Sequence, residues 1–79
     1  MPGHVAYLER HHATGVFLIS GQTVPPSQGG AIIACGIDRT DVELITGEDP
    51  FVIAGVAQYS VTTIQAGRHH PALAALLTR

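Results

Sequence analysis

Seventy-nine residues leave room for one domain. With four arginines, no lysine, six carboxylates and a formal net charge of −2 at pH 7, the chain has no basic stripe to neutralise phosphates, so no nucleic acid and no anionic membrane is expected as a partner. No apolar run approaches the ~18 residues of a membrane span and no leader segment is read at the N-terminus, which predicts a soluble cytoplasmic protein.

A domain this small buries only about 60% of the surface its unfolded chain exposes, and its core is thin. The single cysteine, Cys35, offers no internal disulfide; it lies in the apolar run 31–35 and reads as a buried inert thiol. A partner has to supply what cross-links do not. The expectation is self-association, as a homodimer or a higher assembly.

Residues 2–14 read as a helix, with Pro2 near its first turn and Gly15 at its end. On it Val5, Leu8 and His12 share one face, and His4, Leu8 and His11 form an overlapping stripe. Residues 15–21 and 30–36 are apolar, β-branched runs bounded by glycine and predict two strands. The proline- and glycine-rich stretch 22–29 between them makes a hairpin with a stiff loop. Both runs are apolar on both faces, so both sides of that sheet need covering, and at least two of Phe17, Leu18 and Ile19 are expected to be buried.

Thr40 and Glu43 have the spacing of a capping box for a second helix ending at Gly47. Asp49-Pro50 then reads as a fresh cap with proline at the first helical position, opening a short turn through Ala54. Residues 57–64 alternate, with Ala57, Tyr59, Val61 and Thr63 on one side, and predict a third strand. In the tail from Gly67, Leu73, Leu76 and Leu77 have helical spacing, but so short a helix is marginal alone.

Five histidines invite a metal hypothesis. Adjacent residues on a helix diverge by about 100°, so neither His11-His12 nor His69-His70 chelates one ion as it stands, and no metal and no cofactor are expected. His11 and His12 fit the C-terminal end of the first helix, where the dipole favours positive charge, and His69-His70 fit a solvated tail. His4 lies in a first turn, where the dipole favours a neutral imidazole able to act as a base. Asp49 has the chemistry to fix that ring's tautomer, as the acid does in triad-type sites. On residue types alone, Asp49 is better explained as a helix cap and His4 as an ordinary first-turn residue.

The words His-Val-Ala-Tyr-Leu (4–8), Gly15 with Phe-Leu-Ile-Ser-Gly (17–21), Gly-Gly-Ala-Ile-Ile (29–33), and above all Glu-Asp-Pro-Phe (48–51) with Ala-Gly-Val-Ala (54–57), resemble the YCII-related (YciI-like) domain family from about residue 4 to residue 65. The resemblance implies a ferredoxin-like α+β fold that pairs into a dimeric α/β barrel. It also implies a catalytic pair, His4 and Asp49, with Ser20 close by and the backbone amide of Gly21 holding a polar group of a small-molecule substrate. The implied chemistry is cofactor-free acid–base catalysis of lyase or isomerase type, such as dehydrochlorination. The alternative is a non-catalytic ligand-binding or accessory dimer module of the same fold. Members of the family normally begin with a strand that precedes the helix. Here Met1-Pro2-Gly3 opens directly on the helix, so the first strand is expected to be missing from the chain, and the tail 67–79 lies outside the resemblance.

Overall fold

A computed structural model describes residues 2–78. The chain is α+β, with α1 (Pro2–Ala13), β1 (Phe17–Gln22), β2 (Gly30–Ala34), α2 (Arg39–Thr46), α3 (Pro50–Ile53) and α4 (Ala74–Leu77) in order. Among the described residues no helix is long and apolar enough to cross a membrane.

Helix α1 ends where the sequence places its stop: Gly15 takes a left-handed φ of 84°, and its N–H donates to the His12 carbonyl. The chain then enters β1, which pairs antiparallel with β2, Ser20 opposite Ile32 and Gly21 opposite Ala31. A single turn of tighter helix, Pro26–Gln28, closes the hairpin loop, and the Thr23 N–H donates to the Gly29 carbonyl.

Helix α2 starts two residues earlier than the capping-box spacing suggests. Asp38, not Thr40, is the cap, its carboxylate accepting from the Asp41 N–H at 2.9 Å, while Glu43 pairs with Arg39 one turn away on the exposed face. Gly47 closes α2, and Asp49 caps α3 with Pro50 at its first position, as the sequence implies.

The core is small and aromatic. Tyr7 and Phe17 are its buried apolar residues, and they meet edge to face with ring centroids 5.8 Å apart. Tyr7, not Val5 or Leu8, leads the buried face of α1, and Val5 is exposed. Of the run 17–19 only Phe17 is buried; Leu18 is half-buried and Ile19 is 61% exposed, facing the equally uncovered Ile33 across the ladder. One sheet face in this chain therefore lacks the cover that its composition calls for. Cys35 is likewise half-buried, not sealed, with its sulfur 3.7 Å from the Leu76 carbonyl oxygen.

Residues 57–64 do not form the third strand. Among the described residues the sheet has two strands, and this segment joins no ladder. Alternation specifies which residues face inward, and Tyr59 and Val61 are indeed half-buried between exposed Gln58, Ser60 and Thr62. A strand, however, exists only through a hydrogen-bonded neighbour, and none lies alongside. The tail folds as a short turn, Pro71–Leu73, running into α4.

Candidate functional site

One stripe of α1, at positions 4, 7 and 11, grips the segment that joins α2 to α3. These spacings of three and four put the side chains one above another on one helical surface. The Tyr7 hydroxyl donates to the Ile45 carbonyl at 3.0 Å, near the end of α2. His11 Nε2–H donates to Glu48 Oε1 at 3.0 Å, and Arg10 reaches the same oxygen at 3.3 Å. His4 Nδ1–H donates to Asp49 Oδ1 at 2.8 Å. Gly3 lets α1 come this close, since a Cβ there would stand 3.2 Å from the Pro50 ring.

Asp49 is almost sealed, and its carboxylate is fully engaged. Oδ1 also accepts from the Phe51 N–H at 3.0 Å, which is the helix-capping bond, and Oδ2 accepts from the Tyr59 hydroxyl at 2.7 Å. Burial opposes ionisation of Asp49, but the hydrogen bonds from His4, Tyr59 and Phe51 together outweigh it and hold the carboxyl below its ordinary range. Burial, with the Asp49 carboxylate beside it, pushes the Tyr59 phenol far above its ordinary range. Burial raises the Tyr7 phenol as well. The hydrogen bond from His11 draws the Glu48 carboxyl down.

The His4 ring lies stacked on Phe51, centroids 4.3 Å apart and planes at 18°. Ionised Asp49 accepts at Oδ1, so the His4 proton sits on Nδ1, and Nε2 of the neutral ring is left with a lone pair. The side chain of His4 is 25% exposed against 1% for Asp49. That imidazole borders an open cleft of about 1320 Å³ between the hairpin and the 57–64 segment. The volume exceeds the ~300–1,000 Å³ of a closed small-molecule pocket.

Gly21 borders the same cleft as His4 and Asp49, and so does Ser20. Its hydroxyl shares a hydrogen bond of 2.8 Å with His12 Nε2. His12 is eight residues further along α1 than His4, about 12 Å along the helix axis. Nor do His11 and His12 simply complement the helix end: His11 is buried against Tyr7 and Phe17, and His12 packs edge-on to Phe17. In the tail, His70 caps its own turn by accepting from the Ala72 N–H. Among the described residues no group of three or more His, Cys, Asp or Glu side chains comes together to hold a metal ion.

Sequence reasoning missed Tyr59 and Tyr7. The i, i+3, i+7 spacing of His4, Tyr7 and His11 would have revealed Tyr7; Tyr59 reaches Asp49 only through the fold.

Taken together, the molecule is a small α+β protein in which a buried carboxylate holds an imidazole at the rim of an open cleft. The model of the YCII-related domain matches residues 1–65, and the chain belongs to this family. No curated protein and no solved structure matches it.

Proposed function

We propose that this protein is a cofactor-free acid–base catalyst acting on a small organic molecule by elimination or isomerisation, with His4 as the base and Asp49 as the residue that orients it. The observation carrying this reading is the 2.8 Å contact between a nearly sealed carboxylate and an imidazole that is partly open to a cleft. An orienting acid behind a histidine fixes the tautomer and stabilises the imidazolium formed on proton abstraction. Ser20 and the amide of Gly21 hold a polar group of the substrate further along the cleft.

The cleft is too open to exclude water by itself, and the sheet face beside it carries the exposed pair Ile19 and Ile33. A second copy of the chain covers that face in our reading, as a homodimer of ferredoxin-like units closing into an α/β barrel in the cytoplasm. A non-catalytic accessory module of the same architecture is the second reading. It is favoured by the structural employment of Asp49, whose oxygens already cap α3 and tether Tyr59.

Proton NMR in D2O separates the two with a panel of β-chlorinated and enolisable carbonyl compounds. Catalysis appears as C–H exchange or chloride loss with wild type that disappears in His4→Gln. Ligand-induced shifts of cleft residues with no exchange anywhere in the panel favour the accessory module.

A further inference from the structure

We propose that Ser20, on the cleft wall, and His12, behind it, form a second catalytic centre, a hydroxyl nucleophile with its imidazole base, acting on small activated carboxylic esters. Ser20 Oγ and His12 Nε2 are 2.8 Å apart, within the reach that a base needs to take a nucleophile's proton. Ser20 is half-buried and borders the cleft, so a ligand in the cleft lies beside this residue. The imidazole is held from behind: it stands edge-on to Phe17, ring centroids 5.9 Å apart and planes at 79°, and Phe17 is buried.

Serine–histidine centres usually add a carboxylate that stabilises the imidazolium. Here His12 stands in the last turn of the 12-residue helix α1, and the negative pole of that helix stabilises positive charge developing on the ring. His4 is about 12 Å away along the axis, so it does not serve Ser20. The His4–Asp49 pair and the Ser20–His12 pair share no residue, and Ser20 borders the cleft in which His4 stands.

The reaction begins with the proton on His12 Nδ1 and Ser20 donating to Nε2. As Oγ bonds to the ester carbonyl carbon, the hydroxyl proton passes to Nε2. The tetrahedral adduct collapses by breaking the bond to the leaving alcohol, which takes that proton, and Ser20 is left acylated. Water, deprotonated by the same imidazole, then adds to the acyl carbon. The carboxylic acid departs and the Ser20 O–H is restored.

A fluorophosphonate probe tests this on the full chain by intact-mass and tandem mass spectrometry. Its Ser–Oγ–P bond forms as the P–F bond breaks, with fluoride leaving and His12 keeping the proton. One label per chain is expected, on Ser20, and none in Ser20→Ala. His12→Gln retains a partner for the hydroxyl but no base, so it should label roughly 100-fold more slowly at an unchanged melting temperature. Should that variant unfold, the pH–rate profile of wild type decides: labelling rises with pH to a plateau as one imidazole becomes neutral. An unlabelled wild type, a label on Tyr59 or another residue, a flat profile, or His12→Gln labelling at the wild-type rate overturns the proposal. The readout involves no proton abstraction by His4, so its failure leaves the acid–base reading standing.

Discussion

The Tyr59 hydroxyl donates to Asp49 Oδ2 at 2.7 Å and so ties a segment without secondary structure to the carboxylate behind His4. The bond satisfies an oxygen that is otherwise buried, and it fixes the one carboxylate rotamer in which Oδ1 meets both His4 and the α3 cap. Tyr59→Phe keeps the ring and removes only the donor. Leaving a buried acceptor unpaired should cost about 1–3 kcal/mol in chemical denaturation. A loss within experimental error would show that water replaces the hydroxyl and that the tether is incidental.

Acid should unfold the protein through Asp49. Its folded carboxyl lies below the ordinary value because the bonds from His4, Tyr59 and Phe51 outweigh the opposing effect of burial. The unfolded chain, with Asp at about 3.9, therefore takes up the proton first as pH falls. The stabilisation is fully present above about pH 5 and is lost as pH drops through the ordinary carboxylate value toward the lowered one. Glu48 adds the same sign but is half exposed, so solvent screening leaves it little weight. Stability measured between pH 7 and 3 should fall in wild type and fall less steeply in Asp49→Asn. Equal slopes would remove Asp49 from the account.

The thin core makes a sharp contrast between neighbouring residues. Phe17→Ala removes one of the two apolar side chains buried among the described residues and should cost about 3–5 kcal/mol, enough to unfold a domain of this size. Ile19→Ala, two residues on, should change the stability of the isolated chain by no more than about 0.5 kcal/mol. Comparable losses at both positions would mean that Ile19 is covered in solution.

That cover is a second copy in our reading. Wild type should sediment at dimer mass at micromolar concentration, and Ile19→Glu should shift it toward monomer. A monomeric wild type with a cooperative melt would sink the idea.

What the sequence shows and hides follows from range. The helix stop at Gly15, the hairpin and the Asp49-Pro50 cap are set by residues within a few positions, and all three were legible. Thr40 misled because Asp38, two residues earlier, caps the Asp41 N–H, so the helix begins at Arg39 and Thr40 lies inside it. The 57–64 alternation marks the half-buried Tyr59 and Val61, but not Ala57 and Thr63, which are exposed, and it says nothing of a neighbour, which a ladder needs. The His4–Asp49 contact spans 45 residues, and only the family resemblance points to it; the Ser20–His12 contact spans eight, but it crosses from a helix into a strand, and no single periodicity relates the two residues.

The substitution Asp49→Asn separates a cap from an orienting acid. Asparagine caps a helix about as well as aspartate, so the Phe51 N–H keeps its acceptor and α3 should survive. The amide, however, has one oxygen and one NH2 where the carboxylate has two oxygens, and Tyr59 currently donates to Oδ2. If the amide oxygen stays with His4 and Phe51, its NH2 faces the tyrosine oxygen and the Tyr59 bond must reverse; if it flips, His4 and the Phe51 N–H both meet a donor, so that the cap is lost and the His4 proton has to move to Nε2. Either way the charge that fixes the proton on Nδ1 is gone. Nitrogen-15 NMR of the His4 ring should therefore report the Nδ1–H tautomer in wild type and a mixture in Asp49→Asn, with His4→Gln identifying the resonances. Any C–H exchange activity should fall by roughly 10²–10⁴-fold in Asp49→Asn, the scale of a misoriented general base. The same tautomer in both proteins would end the orienting role and, with it, the preference for an enzyme over an accessory module.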